Sequence, residues 1–527
     1  MVNQVVADVS VEGSEFFSYI RLVYGLSLRF LYLCCPALNW YAITLIICMT
    51  GSFCIFMLLL SMAEQKSGRK QALLHAISFG VFYVLFVYNL FHLAFTNVAF
   101  FTTLSGGMLF LSQEPPYGKK KIGILIFSFL WFAYGASIRR YSALATFVIL
   151  VGFACFCFVK MRTKKSILFL LAAVLVFGGY TYIRDCYIPE DDTNALYRYW
   201  SFEQARMVSV DRQVVSYEDH REEFEAIGIS PDDYKLYYLW CYADYNVFHP
   251  ETFGKLLCEL TEETPPVKLS IGRVFKSMFT SIVNLAYMGL LLAVFLLGKK
   301  KHRLWLFLFC GCAEGMIFML LLRGRLLWRM QLGVMQVAII PVLLILLWGE
   351  NHIPSAVFPF KKKPWLQSVC IFVVCALAVS MMAVRNGELI HAQKEKLETY
   401  APIVNYVKAG SEQGKRFVSL AEHRVHFYYP EITLLQKREK PYYVNAGEAD
   451  TFHPHWLKTM EQCGFSEFND SVFRALIDGE EVYAFTDQRW NFDEVAGLLR
   501  RHYDESVEWV LEDKIGDWYI ASFRRTK

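Results

Sequence analysis

The sequence predicts a polytopic α-helical membrane protein with about ten transmembrane helices, a helical extracytoplasmic loop and a C-terminal α/β extracytoplasmic domain. Of the 527 residues, 55% are hydrophobic and 19% are charged, a composition typical of proteins that lie in a bilayer. The long apolar segments fall into two blocks, 39–183 and 277–385, separated by the polar and aromatic stretch 184–276. The net charge of +4 is too small to indicate a nucleic-acid partner.

The N-terminal segment 1–38 precedes the predicted spans. Residues 1–13 contain neither a basic region nor an apolar core, so we expect no cleavable signal peptide. Residues 16–38 are aromatic-rich and contain two arginines, which predicts an interfacial helix. A transmembrane helix needs about 20 apolar residues. The predicted spans are 39–62, 73–94, 97–113, 122–138, 143–159, 166–183, 277–298, 304–322, 330–349 and 365–384.

The positions of the lysines predict the orientation in the membrane. Alternate connections carry lysine clusters, for example at 119–121 and 361–363, and cytoplasmic loops retain positive charge. We therefore expect the opposite connections, the loop 184–276 and the C-terminal domain 386–527 to lie on the extracytoplasmic face of the cell membrane. Those opposite short connections contain no lysine but five arginines, namely Arg139, Arg140, Arg323, Arg325 and Arg329.

The two polar regions contain signals of folded structure. Ser230-Pro231-Asp232-Asp233 predicts a helix start, with a hydroxyl N-cap, a proline at the first position and carboxylates in the first turn. Alternating strand-like and helical runs predict an α/β domain at the C-terminus. That region has no glycine-rich phosphate loop and no G-x-S-x-G, so we do not expect catalysis there. Its strands are predicted at 417–420, 442–445, 481–486, 507–511 and 517–523.

The five arginines are the strongest indication of function. Guanidinium groups bind phosphate bidentately and stay charged when partly desolvated. We therefore predict that the five converge beneath the loop on the phosphate or diphosphate of a lipid-linked substrate, with membrane lipid as a partner. The alternative is that they extend to lipid headgroups or pair with loop carboxylates such as Asp191 and Asp192.

Loop residues supply further candidates. Acids in this position can act as a general base or bind a divalent metal, and the sequence neither selects one acid nor identifies a cofactor. No Cys/His spacing typical of a metal site occurs, and Cys186, Cys241, Cys258 and Cys463 are equally compatible with disulfides and free thiols. The loop candidates are Arg206, Asp191, Asp192 and Asp211, and the same segment contains Asp185 and Glu190.

Three other features have a structural and a functional interpretation. Glu314 lies within the predicted span 304–322, and we expect a neutral acid hydrogen-bonded to a neighbouring helix such as the one with Asn89 and His92. The loop aromatics, such as Tyr237 and Tyr242, can stack on sugars, but a membrane-interface belt is favoured. We expect His453-Pro-His455 to be a surface turn.

Two stretches resemble a group of uncharacterised bacterial multi-pass proteins that are similar to GT-C-fold glycosyltransferases. The first contains Leu31-Tyr32, Pro36 and Trp40-Tyr41. The second contains the Ala-Arg of Glu203-Gln-Ala-Arg206 with the downstream Asp211, then Gly228-Ile-Ser-Pro-Asp-Asp233 and Ala243-Asp244. The predicted alternation of spans, large loop and terminal α/β domain also fits that group.

The resemblance implies transfer of a sugar from a polyprenyl-phosphate carrier to an extracytoplasmic glycan or envelope acceptor. It also implies an acidic base near the outer end of the first helix, for which Asp8 is a candidate within residues 1–13. A chain shortened at its N-terminus and a non-catalytic relative therefore stay open. The alternatives are a transporter or flippase of lipid-linked glycans, which would need the arginines but no base, and a non-enzymatic envelope protein that binds a partner.

Overall fold

A computed structural model describes most of the membrane block 39–183 and of the C-terminal domain. The predicted span 277–298 lies outside the described residues, as does nearly all of 365–384. The described residues are 21–67, 72–91, 93–161, 164–187, 195–209, 215–263, 300–322, 328–348, 398–420, 441–447 and 451–526, with single positions between 376 and 395.

The N-terminal segment and the first block together form a bundle of seven helices within the described residues. A backbone in lipid has to satisfy its own polar groups, so long apolar segments fold as helices. The elements are α1 Leu22–Cys34, α2 Trp40–Ser67, α3 Ala72–Phe91, α4 Phe95–Ser112, α5 Lys119–Ile138, α6 Arg140–Met161 and α7 Lys165–Tyr187.

The second block contributes α12 Lys300–Leu322 and α13 Trp328–Trp348. Six of the described helices are long and apolar enough to cross a membrane, and the other two predicted spans with described helices, α3 and α12, contain shorter apolar stretches. The prediction of a helical membrane protein is confirmed to this extent, and the number ten stays a prediction. The six segments are Trp40–Ala63, Phe95–Ser112, Lys119–Ile138, Arg140–Val159, Lys165–Arg184 and Met330–Leu347.

Helices α4 and α13 form the interior of the bundle. In the apolar stretch of each, 94% of the α4 residues and 100% of the α13 residues are buried, against 17% for α7. Glycines let α4 and α5 approach closely, because a Cβ at Gly106 would lie 2.4 Å from the backbone nitrogen of Phe132. Such small residues at the contact are typical of packed membrane helices. The start of α4, the end of α5, the start of α6 and the end of α7 lie at one end of the bundle, here called the arginine end.

Residues 184–276 and the C-terminal region are joined in one polar domain, defined as 195–263 with 398–526. Its first part contains α8 Ala195–Ser209, α9 Arg221–Ala226, α10 Pro231–Tyr238, a π-helical turn Pro250–Gly254 and α11 Lys255–Glu263. The predicted helix start at Ser230 is confirmed, since Ser230 and Asp233 form a reciprocal capping box with Pro231 at the first position.

The second part of the polar domain is a five-stranded sheet with helices on both faces. Strand order is β2-β1-β3-β5-β4, with β2, β1 and β3 parallel and β5 antiparallel to both of its neighbours. All five strands lie at the predicted positions. The elements are β1 Arg416–Ser419, β2 Val444–Asn445, α14 Pro454–Gln462, α15 Val472–Asp478, β3 Val482–Thr486, α16 Trp490–His502, β4 Val507–Ile515 and β5 Trp518–Arg525.

One hydrophobic core holds the two parts of the polar domain together. Tyr237 and Phe248 from the first part are buried with Phe473 and Leu498 from the second. The backbone also connects them, because the Ala243 nitrogen donates to the Ala446 oxygen at 2.6 Å. The two predicted extracytoplasmic regions therefore fold against each other. On the opposite face of the sheet, a helix through 398–412 covers a smaller core.

Candidate functional site

The joint between α5 and α6 places two of the predicted arginines at the arginine end. Arg139 has an extended backbone between the helices. Its guanidinium donates to the Thr96 hydroxyl and lies 4.9 Å from the centre of the Phe95 ring. These contacts attach the joint to the first turn of α4. The next side chain, Arg140, is exposed.

Arg21 lies close enough to arginines from two other helices, Arg140 and Arg184, for their charges to act on it. Arg21 precedes α1, Arg140 begins α6 and Arg184 lies in the last turn of α7. Burial lowers the pKa of Arg21 below its usual value, and the positive charges of Arg140 and Arg184 lower that pKa further. These three residues are called the arginine cluster.

Aromatic and backbone groups hold Arg21 in the cluster. Its guanidinium lies 5.5 Å from the centre of the Tyr180 ring, and the Tyr180 hydroxyl donates to the Ala133 oxygen at 2.8 Å. The Nε of Arg21 is buried and has no hydrogen-bond partner among the residues that the structure describes. Within the described part of the chain, the charged groups that affect the pKa of Arg21 most are Arg140, Tyr180 and Arg184. Partly buried positive charge beside other positive charges favours binding of an anion.

The cluster lies next to the polar domain. The Arg184 guanidinium is 5.5 Å from the centre of the Trp200 ring, which belongs to α8. The cationic end of the membrane bundle and the first helix of the polar domain are therefore in direct contact.

The predicted convergence of five arginines is only partly described. Arg139 and Arg140 lie together, Arg323 and Arg325 lie outside the described residues, and the side chain of Arg329 is not described. Helix α12 runs antiparallel to α6, because Trp305 packs on Phe156 and Phe309 packs near Gly152. The C-terminal end of α12, at Leu322, is therefore at the arginine end.

Sequence reasoning missed Arg21 and Arg184 as members of the cluster. Each lies at the end of an apolar helix, on the side that the lysine pattern assigns to the other arginines. That shared side was the available signal. It could not identify the contact, because Arg21 lies 119 residues before Arg140 and Arg184 lies 44 residues after it.

Arg206, a predicted loop candidate, has a structural environment. Its Nε and one terminal nitrogen donate to the two carboxylate oxygens of Glu203 at 2.7 and 2.6 Å, and both side chains are buried. The guanidinium stacks on the Trp240 ring at 4.7 Å. The positive charge of Arg206 is thus balanced inside the polar domain. Asp191, Asp192 and Asp211 lie outside the described residues, as do Glu190 and Asp8, and the side chain of Asp185 is not described.

Two buried acids in the polar domain are occupied by protein partners. Asp244 accepts from the hydroxyls of Ser471 and Tyr503, each at 2.6 Å, and burial raises its pKa. Burial acts to raise the pKa of Asp233 as well, but hydrogen bonds from His502 and Ser230 outweigh it, so that this pKa is lowered. Both carboxylates join parts of the polar domain and are poorly placed to act as a general base.

Several predicted roles of aromatic and histidine residues are wrong. Tyr237 and Tyr242 are buried in the core of the polar domain, not in a membrane-interface belt. His453 is also buried, with its ring edge-on to Tyr199 at 4.8 Å, so the expected surface turn is absent at this residue.

The predicted environment of Glu314 is also different. Both carboxylate oxygens are enclosed and have no hydrogen-bond partner among the described residues. The Asn89 amide instead donates to the Gln336 oxygen at 3.0 Å, between α3 and α13. Within the described part of the chain, no three His, Cys, Asp or Glu side chains are grouped to hold a metal. Of the four cysteines left open by the sequence, Cys241 and Cys463 donate from their thiols to the backbone oxygens of Leu420 and Pro441, Cys258 is half-buried and Cys186 is exposed.

No protein-family profile, curated protein or solved structure matches this sequence.

Proposed function

We propose that this chain is a membrane glycosyltransferase-like protein that binds a polyprenyl-phosphate-linked sugar and transfers the sugar to a glycan or envelope acceptor outside the membrane. The observation that carries this proposal is the cluster of Arg21, Arg140 and Arg184 at the junction of bundle and polar domain. Three helices hold like charges together there at an energetic cost. An anionic ligand would offset that cost.

A lipid phosphate suits the place of the cluster. Phosphate accepts paired hydrogen bonds from guanidinium groups, and the ends of membrane helices lie at the depth of lipid headgroups. During sugar transfer the carrier phosphate is the leaving group, and negative charge develops on its oxygens. Fixed arginines near that position would stabilise the charge as the glycosidic bond breaks.

The polar domain would hold the acceptor, with a carboxylate as general base. The described acids Asp233 and Asp244 are bonded within the domain, so we assign the base to the acids that follow α7 in sequence. Asp191 and Asp192 follow Arg184 in sequence by seven and eight residues, and deprotonation of an acceptor hydroxyl is the role proposed for one of them.

The test is transfer from radiolabelled polyprenyl-phosphate sugars to membrane acceptors by the purified full chain. The double variant Arg21→Gln/Arg140→Gln removes two charges of the cluster and should lower carrier binding and transfer about tenfold or more. Arg29→Gln is the matched control, because this exposed arginine lies on α1 and the charge change is the same. It should leave transfer unchanged.

Equal transfer by the double variant and the wild-type protein would remove the arginine cluster from the mechanism. If no donor supports transfer but the donor moves between the leaflets of reconstituted vesicles, the chain is a transporter and the enzyme proposal fails.

A further inference from the structure

A groove on the lipid-facing side of the bundle leads away from the arginine cluster. It lies between α6 and α7 and has a volume of about 600 Å³. Its walls are mainly apolar. The lining includes Leu144 and Phe147 on α6 and Val174, Phe177, Gly178 and Thr181 on α7.

The groove begins one helical turn from the cluster. Leu144 follows Arg140 by four residues, and Thr181 precedes Arg184 by three, so each pair lies on one face of its helix. Val174 is ten residues from Arg184, which corresponds to about 15 Å along a helix. The groove therefore extends about halfway through a hydrocarbon core of about 30 Å.

The groove is open towards lipid. Helix α7 is the least buried of the six apolar segments, and a Cβ added at Gly178 would meet no atom within 4 Å. At its inner side, the edge of Phe147 contacts Phe177 with ring centres 5.6 Å apart. The helices thus leave a shallow channel with an aromatic floor.

We propose that this groove, with Leu144, Phe147, Val174 and Gly178, holds the isoprenoid tail of a polyprenyl phosphate whose phosphate lies on the arginine cluster. The inference rests on the proposed function for the identity of the headgroup. Positive charge is concentrated at one end of an otherwise apolar channel, which matches an amphipathic anion. Two residues of α6 and five of α7 line the channel, and the single isoprenoid chain is preferred to the paired chains of a phospholipid because the proposed carrier has one chain.

The experiment compares phosphate-containing anions that differ in the tail. Binding of undecaprenyl phosphate, of inorganic pyrophosphate and of dioleoyl phosphatidic acid to the detergent-purified full chain is measured by competition. Gly178→Leu places a side chain in the groove, where the structure has room for it. Gly123→Leu is the matched control, because that glycine is equally open and exposed but lies near the other end of α5.

Gly178→Leu should weaken undecaprenyl phosphate binding about tenfold, because contacts of several methylene groups are lost. It should leave pyrophosphate binding unchanged, and Gly123→Leu should leave both unchanged. Equal loss of pyrophosphate binding, or no loss for the long-chain ligand, would overturn the groove assignment. Competition by dioleoyl phosphatidic acid as strong as that of undecaprenyl phosphate would also overturn it, since the groove would then hold an ordinary bilayer lipid.

This result is separate from the fate of the proposed function. If the arginine variants bind the carrier normally but Gly178→Leu does not, the groove holds a lipid tail while the phosphate site is elsewhere. If the arginine variants fail and Gly178→Leu binds normally, the cluster stands and the groove assignment is wrong.

Discussion

Arg206 in the polar domain and Arg21 at the arginine end of the bundle are both withdrawn from water beside an aromatic ring. Arg206 stacks on Trp240 and makes two hydrogen bonds to the carboxylate of Glu203. Arg21 stacks on Tyr180, and its pKa is lowered first by burial and then by the positive charge of Arg140, with a smaller contribution from Arg184. The positive charge of Arg206 is therefore balanced by a carboxylate within the fold. The positive charge of Arg21 is disfavoured by burial and by other positive charges.

The difference separates an arginine that stabilises the fold from one that is available to a ligand. In a buried ion pair with good geometry, the attraction between the charges offsets their desolvation cost. Removing one partner therefore lowers the free energy of unfolding. Repulsion within a cationic cluster destabilises the free protein, and a bound anion reduces that repulsion. Mutation should therefore affect stability in the first case and binding in the second.

The largest effect is expected where one half of the buried pair is removed. Glu203→Gln leaves Arg206 charged and uncompensated in the core and should lower the free energy of unfolding by about 3–5 kcal/mol. Urea titration of the detergent-purified full chain, followed by tryptophan fluorescence, measures this loss. Replacing both partners by apolar residues, Glu203→Leu with Arg206→Met, should recover most of it. A single variant as stable as the wild type would show that the pair is not structural.

A smaller effect is expected at Arg21, and it should change ligand binding rather than stability. Arg21→Gln removes a desolvated positive charge from beside two others, so unfolding should need as much urea as in the wild type or slightly more. Carrier phosphate binding should weaken about tenfold, since a charge-assisted hydrogen bond contributes about that factor. Competition binding with inorganic pyrophosphate measures this change. A marked loss of stability in this variant would place Arg21 in the same class as Arg206.

The smallest effect is a pH dependence of the polar domain. Burial raises the pKa of Asp244 above its ordinary value of 3.8, so the folded state holds that proton more tightly than the unfolded chain. The stabilisation is full below the ordinary value and is lost as pH rises through the raised pKa. Urea titrations at a series of pH values should detect it, and Asp244→Asn should abolish it. Asp233 has a lowered pKa and acts with the opposite sign. A profile unchanged by Asp244→Asn would contradict the assignment.

The hydrophobic pattern and local capping signals were sufficient to predict much of the fold from the sequence. Apolar segments of the right length identified the six membrane-length helices, and the Ser230 capping box was visible from its residue types. Short β-type runs gave the five strands within a few residues. These features depend on neighbours in sequence, which is the information that pattern reasoning uses.

Long-range contacts were beyond that reasoning. Tyr242 is buried because the C-terminal domain supplies a core that begins 176 residues later, at Val418. Sequence reasoning therefore placed this aromatic residue in a membrane-interface belt. Arg206 was proposed for a ligand because its partner Glu203 could equally have faced solvent. Arg139 and Arg140 were identified because the loops on one predicted side of the membrane contain arginine but no lysine, a pattern that the sequence alone shows. Arg21 and Arg184 joined them only through the packing of α1, α6 and α7.

The core shared by 195–263 and 398–526 determines when the polar domain can fold during synthesis. A ribosome releases the first part long before β1 is made, so Tyr237, Tyr242 and Phe248 have no covering partner while the second membrane block is being inserted. During that interval the incompletely folded domain exposes a hydrophobic surface. Chaperones can bind this surface, and proteases can cleave the chain there. A polypeptide that terminates before the sheet would keep that surface permanently, and cellular surveillance would have a direct way to recognise it.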